Sequence, residues 1–328
     1  VTLDSLHWTV QGIGTKMPIK LHDTMKEAKL RVYKEFNMTS KGVAQDIVAL
    51  KEWLLKQPHL PYIHGENVDK WLENYLVLNK NSLERTKENL DMYFSVRVLF
   101  PEVFAFRDPL HEQIRISCQC MGLVVLPKLT PEGRRVFIFS HLNDNVTKFE
   151  STMMFKRMSM IFDVFLQEGV DYIGLEVIVD SKHVCLGHLS KYNLSTLAKF
   201  VEFGSKAYPN RSKSIHVVNP WPMVDTGIAL FKPFLPKKLQ GRMVVHRSLE
   251  DLHRCIPKNI LPEDLGGEEP SIRELNDAWH EKLISYREWF LFNEDVKSDE
   301  AKRVGKCRFE VPSDTFGNQG SFRKIEVD

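Results

Sequence analysis

The sequence has no run of about 18 uncharged apolar residues, so no segment is long enough to cross a bilayer as a helix. Net charge is also scarce: 45 Lys and Arg against 43 Asp and Glu leave a formal charge of +2. That balance gives no general electrostatic case for nucleic acid, so any basic surface must be local. Cysteines are few and scattered. Cys118, Cys120, Cys185, Cys255 and Cys307 form no C-x-x-C pair, which fits reduced thiols in the cytosol. The opening residues VTLDSLHWTV carry neither a basic nor an apolar leader region, so no signal peptide is expected there. Asn37, Asn145, Asn193 and Asn210 stand in N-x-S/T patterns that matter only in a secreted chain, and they are read as chance.

Strong catalytic motifs are missing too. There is no G-x-x-x-x-G-K-[ST], no G-x-S-x-G and no H-E-x-x-H. Gly12-Ile-Gly14 is half a dinucleotide fingerprint, without a third glycine or a preceding strand. Asp180, His183, Cys185 and His188 follow an expected strand, where α/β proteins place ligands. H-x-C-x-x-H is not a usual zinc spacing, so the group reads as a loop with a packed cysteine and two partly exposed histidines. No enzyme activity, cofactor or metal is expected.

What is present falls into two textures. Residues 1–22 form a loose lead-in. Residues 23–105 read as a helical module. Charged and apolar positions alternate over 23–36, as on a surface helix. Ser40 caps a clearer helix with Val43, Ile47, Leu50 and Leu54 on one face, stopped by Pro58 and Pro61. A helix over 67–79 aligns Val68, Trp71, Leu72 and Tyr75, and Ser82 opens another with the stripe Leu83, Thr86, Leu90, Tyr93 and Phe94.

Residues 106–295 change character. Two β-type runs, 122–126 and 136–139, flank a turn at Pro131-Glu-Gly133. Strands are then expected at 173–179, 215–218 and 243–245, alternating with helices at 151–167, 194–206 and 223–235, before a long helix at 271–292. Such alternation means β-α-β units and a mainly parallel sheet. Residues 296–328 form a charged, Gly/Ser-punctuated tail.

Two segments carry more apolar surface than one core stripe needs. In 151–167, Met154, Met158, Ile161, Phe162 and Phe165 share a face, and Met153, Phe155, Met160 and Val164 extend it. The helix is either the central core helix of a large domain or a cavity wall, for which methionine's adaptable side chain is suited. Segment 223–235 lies between Asn219-Pro-Trp-Pro222 and Pro236; it fits a core helix or a hinged lid equally well. Residues 232–258 bring Lys232, Lys237, Lys238, Arg242, Arg247, Arg254 and Lys258 against only Glu250 and Asp251. This is either a solvated face or a patch for an anionic membrane.

Several of these segments resemble one family. Lys51-Glu-Trp-Leu-Leu-Lys-Gln-Pro-His-Leu60 and the helix from Ser82 to Tyr93 resemble the CRAL-TRIO N-terminal helical module, and Gly133-Arg-Arg-Val-Phe-Ile-Phe139 resembles the first strand of its lipid domain. The most specific series is Ile215-His-Val-Val-Asn-Pro220, then Phe231-Lys-Pro-Phe-Leu235, then Ile260-Leu-Pro-Glu-Asp-Leu-Gly-Gly-Glu-Glu269. It is very similar to the members that carry tocopherols and retinoids. The resemblance implies an α/β CRAL-TRIO lipid-binding domain, with an apolar cavity floored by the sheet and closed by the 223–235 helix. It implies that Phe139, Met154, Met158, Ile161, Phe162, Phe200, Phe203, Ile228 and Phe231 face a ligand over a floor that includes Val177 and Val179. Lys199, Lys238 and Arg242 match basic positions that contact phosphoinositide headgroups in the tocopherol carriers. In the stretch Tyr75-Leu-Val-Leu-Asn79, Val77 and Asn79 replace arginines common in the family.

The expected function is binding one tocopherol, retinoid or carotenoid and moving it between membranes. The expected partners are that hydrophobic small molecule and an anionic membrane surface, such as one bearing phosphoinositides, with no nucleic acid. The protein would work as a cytoplasmic monomer touching membranes transiently. The rivals are a phospholipid or phosphoinositide exchanger, which needs polar cavity residues, and a membrane-recruited scaffold without transfer activity.

Overall fold

A computed structural model describes residues 21, 26–65 and 67–305. Most of the expected lead-in, Gly12-Ile-Gly14, Cys307 and most of the tail lie outside these residues. The N-terminal helices are α1 (Lys26–Glu35), α2 (Ser40–Leu55), α3 (Val68–Leu78) and α4 (Leu83–Leu99). Thr39, not Ser40, caps α2, by accepting the Gly42 N–H at 3.1 Å; a β-conformation one residue before the first turn is what that bond requires. Val43, Ile47, Leu50 and Leu54 are buried as their spacing predicts. Two short helices follow that periodicity did not reveal: α5 (Pro101–Phe104), opened by proline in its first turn, and α6 (Glu112–Cys120).

The sheet contains β1 (Met121–Leu129), β2 (Arg135–His141), β3 (Leu175–Asp180), β4 (Ser212–Val218) and β5 (Met243–Val245), in that spatial order. β1 and β2 are antiparallel, and each later pair is parallel. Gly133 at φ +78° turns the first pair, a conformation costly for any residue with a Cβ. The crossovers are α7 (Ser151–Glu168), then α8 (Leu186–Ser190), α9 (Leu194–Lys199) and α10 (Ser205–Ala207), then α11 (Val224–Phe231) and α12 (Lys237–Gln240). Because the strand order never reverses, right-handed crossovers all fall on one face of the sheet. That single-sided arrangement creates the space in which the cavity lies.

Across the sheet, α13 (Leu249–His253) packs on β4 and the turn Lys258–Ile260 packs on β1. The run from Ile260 to Glu269 is tight. Gly266 sits at φ +70°, and a Cβ on Gly267 would lie 2.0 Å from the Leu261 carbonyl oxygen. The expected single C-terminal helix is two: α14 (Ile272–Ser285), with a Ser271–Glu274 capping box, and α15 (Arg287–Phe292). The break at Tyr286 redirects the chain so that Trp289 and Phe290 are buried.

The helical module is joined to the sheet-containing part through Asp163 on α7, which is fully buried. Tyr93 of α4 and Tyr208 after α10 donate hydroxyl bonds to its Oδ1 at 2.9 and 3.0 Å. The Arg107 guanidinium donates to Oδ2, and Arg97 Nη2 lies 3.8 Å away. Nearby, Tyr75 donates to the Ala207 carbonyl at 2.9 Å. Breaking a buried ion pair on one side leaves uncompensated charge and costs about 3–5 kcal/mol. Asp163→Asn should therefore lower unfolding free energy by about that amount in urea titration. A loss below about 1 kcal/mol would show that the carboxylate charge does not join the two parts.

Candidate functional site

The cavity between the sheet and its crossovers has a volume of about 630 Å³. Its floor follows from the period-two alternation of strands. Phe137 of β2, Val177 of β3 and Ile215 of β4 are in register, as are Phe139, Val179 and Val217, and both rows line the cavity. On β5, Met243 pairs with Ile215 and continues the floor.

Met154, Met158 and Phe162 of α7, one turn apart, form the wall. Behind them α7 is also buried, through Met160, Ile161 and Val164. Both readings of this helix hold at once: it is core on one side and cavity wall on the other. Its polar residues are buried as well. Lys156 donates to the Ala105 carbonyl, and Arg157 to the Met121 carbonyl at 2.8 Å and to Asn276 at 2.7 Å. A π-helical turn, Phe200–Gly204, continues α9 and places Phe200, Val201 and Gly204 at the cavity. Overhead, α11 contributes Val224, Gly227, Ile228 and Phe231, and Phe231 meets the Tyr192 ring at 4.8 Å between centroids.

Of the residues expected at the ligand, Phe139, Met154, Met158, Phe162, Val177, Val179, Phe200, Ile228 and Phe231 line this cavity. Ile161 and Phe203 do not. Each is fully buried in the core, Phe203 against Phe100 at 6.4 Å between rings. The π turn rotates Phe203 away from where an unbroken helix over 194–206 would point it. Phe137, Ile215 and Val217 were not singled out in the sequence, although strand alternation places them beside Phe139 and Val177.

One end of the cavity is cationic. Lys238 and Arg242, expected at a membrane surface, line it, joined by Lys80, Arg211 and Lys213. Lys199 stands elsewhere, 5.7 Å over the Phe100 ring. Val77 and Asn79 are buried, and the Asn79 amide bonds the Tyr75 carbonyl. Arg211 also donates to the Val77 and Leu78 carbonyls at the end of α3, at 3.1 and 2.8 Å. Burial holds its guanidinium down at about 10. Burial and the neighbouring Arg134, Arg211 and Lys80 likewise lower Lys213.

Beside the floor, the end of β2 presents His141, whose Nε2 lies 3.4 Å from the Tyr192 hydroxyl. Burial, with the nearby His188 and His183, pushes its imidazole down to about 3. In the adjoining loop, expected to hold a packed cysteine and two partly exposed histidines, His183 is partly exposed and Cys185 is half-buried. His183 pairs with Asp144 at 2.6 Å, and His188 Nδ1 accepts the Cys185 N–H at 3.3 Å to close the first turn of α8. His188 is buried rather than partly exposed. Asp180 accepts hydrogen bonds from Ser140 and Asn219, both at 2.9 Å.

Among the described residues no helix is long and apolar enough to cross a membrane. Residues 119–267 match the family model of the CRAL/TRIO domain, and residues 39–114 match a model described as Pinta-like, UBA domain. The alpha-tocopherol transfer protein-like protein of Mus musculus is 28% identical over 251 residues, spanning 75% of this chain and 71% of that one. Clavesin-2 of Homo sapiens is 23% identical over 300 residues, spanning 87% of this chain and 86% of that one. The crystal structure of Sfh5 aligns at a TM-score of 0.45 and 15% identity, over 76% of this chain and 91% of that one.

His141 gives a pH prediction. Folded, it is neutral far below its unfolded pKa of about 6.5. Its contribution to stability is complete above that value and is lost as pH falls from 6.5 toward 3, on the order of 2 kcal/mol by pH 5. His280, held at about 4 by burial, adds loss in the same range. The melting temperature should fall between pH 7 and pH 5, and less steeply in His141→Gln. Parallel pH profiles for the two proteins would exclude His141 as a source of that slope.

Proposed function

The chain is a CRAL/TRIO lipid-binding protein, and on that premise we propose that it binds one small hydrophobic molecule of the tocopherol, retinoid or carotenoid class and transfers it between membranes. The observation that carries this reading is the cavity of about 630 Å³, floored by two apolar rows and walled by methionine and phenylalanine. Its size falls within the range of small-molecule sites, about 300–1,000 Å³. Burying about 400 Å² of apolar ligand surface gains on the order of 10 kcal/mol before entropy costs. One relative is named for alpha-tocopherol transfer, which agrees with this class.

The roof is the part that opens. α11 spans Val224–Phe231, and only Gly227 on it is buried. Pro220 and Pro222 precede it, and Pro233 and Pro236 follow it. Proline fixes φ on both sides, so movement concentrates at the ends of a short rigid piece. The cationic end lies against the same segment, which suits release at an anionic surface. A second reading, phospholipid or phosphoinositide exchange, is favoured by the same feature: Lys80, Arg211, Lys213, Lys238 and Arg242 could face a phosphate within the cavity.

Mass spectrometry of the organic extract of purified protein should find a single class of apolar lipid. The emptied protein should regain thermal stability with that lipid, by mass action on the folded state. A bound phospholipid would support the second reading. No extractable lipid and no stabilisation by tocopherols, retinoids, carotenoids, sterols or phospholipids would contradict both. Met158→Trp or Phe162→Trp should abolish binding with little loss of stability, because each adds volume to open space rather than to a packed core. A stability loss of about 1–3 kcal/mol with binding retained would assign these side chains to core alone.

Lys238→Ala with Arg242→Ala should slow delivery to anionic vesicles while leaving affinity for the free lipid unchanged. The difference should shrink as salt rises, since exposed charges are screened beyond about 8 Å at physiological ionic strength. Equal anionic-to-neutral delivery ratios for variant and wild type would remove the cations from the transfer step.

A further inference from the structure

The face of the sheet turned away from the cavity carries a separate group of ligating side chains. On β4, Ile215 and Val217 line the cavity, so His216 between them points to the other side. His246 directly follows β5, and its N–H donates to the Val217 carbonyl at 2.8 Å. Both imidazoles are buried and lie nearly parallel, 22° apart, with His216 Nδ1 2.8 Å from His246 Nε2. Cys255, two residues beyond α13, is an exposed free thiol. One ligand atom from each of the three residues lies within 4.8 Å of the others.

We propose that His216, His246 and Cys255 form a binding site for one zinc-class divalent ion, with solvent completing the coordination. Two imidazoles and a thiolate form a donor set that suits such an ion. The second nitrogen of His216 is already held: its Nε2 lies 3.0 Å from the Ser214 hydroxyl and 3.4 Å from a Glu176 carboxylate oxygen, while Ser214 donates to that carboxylate. A carboxylate behind a ligating histidine fixes its tautomer and leaves the other nitrogen free for metal.

Tetrahedral coordination at about 2.0–2.1 Å places two nitrogens ~3.3 Å apart. The imidazoles must therefore open by only about half an ångström. The exposed cysteine can swing in, its thiol losing a proton to solvent on binding. The ion would tie β4, the edge strand β5 and the segment after α13 together. This proposal is independent of the cavity's ligand.

The test uses the full chain stripped by a chelator and titrated with cobalt(II), then zinc. Cobalt should bind one per chain, with the thiolate charge-transfer absorption that reports a bound sulfur, and zinc should displace it. Cys255→Ser, a change at an exposed position, should remove that absorption and weaken zinc at least tenfold in competition with a colorimetric chelator. It should also reduce the thermal stabilisation that zinc gives wild type. Cys185→Ser should behave like wild type. No thiolate absorption in wild type, or an absorption that survives in Cys255→Ser, would overturn the proposal. Retention of wild-type zinc affinity by Cys255→Ser would also overturn it.

Discussion

Asp163 is a single carboxylate with no access to water, and four other side chains from three other parts of the chain converge on it. Two are arginines, so the group has more positive than negative charge. The excess is absorbed locally: the Arg97 guanidinium lies 4.2 Å over the Tyr93 ring and donates to the Tyr93 carbonyl at 2.6 Å. Charges this deep are tolerated only when paired and hydrogen-bonded. Each partner's position is therefore tied to the others. α4, the loop after α5, α7 and the segment after α10 cannot shift separately without stranding a charge. This rigidity lets α7 give its opposite side to a cavity, where packing does not hold it.

The cavity follows from topology as much as from side chains. With every crossover on one face, each helical layer lies over a different strand pair, and the helices must cover the sheet without interdigitating fully. α7 is long and anchored at its back. The last crossover is a helix of eight residues and two short turns, too little to fill the space beneath it. The floor rows and the Met154, Met158 and Phe162 wall carry no polar groups to hold ordered water, so an apolar guest fits against them better than solvent. The lining also includes polar residues, among them His141, Tyr192 and the cations.

How much of this could be read from the sequence depended on whether the signal was local. Met154, Met158 and Phe162 were legible as one side of a helix because helical spacing alone puts them there, and Phe139, Val177 and Val179 through the family resemblance. The order of strands and helices gave the fold class, and the quoted segments gave the family. What was missed required tertiary knowledge. Lys80 and Arg211 come from separate segments, and each meets Lys238 and Arg242 only in the folded chain. Buried Lys156, Arg157 and Asp163 gave no signal in the sequence, because burial of a charge depends on partners far away in sequence. The π turn at Phe200–Gly204 and the break at Tyr286 leave no proline behind, so periodicity ran through both. His216 sat inside a quoted motif, but its neighbours His246 and Cys255 meet it only through strand pairing and the return of α13.

The roof, the cations and the back of the sheet belong to one continuous piece of chain. From Val224 the chain forms the roof, turns through Pro233 and Pro236, carries Lys238 and Arg242 on and beside α12, enters β5 as an edge strand and reaches His246. β5 is held by only three register pairs to β4. A force on the cations, such as attraction to an anionic surface, is transmitted in one direction to the hinge of the roof and in the other to this short strand. For the roof to lift while the floor stays intact, β5 must resist that pull better than α11 does. Hydrogen bonding favours this outcome: β5 is laddered to β4 and runs into His246, whose N–H donates to the Val217 carbonyl and whose ring is buried against His216, whereas α11 is a short helix with one buried residue. The segment therefore has a loose end over the cavity and a fixed end at the sheet, with its charge between them.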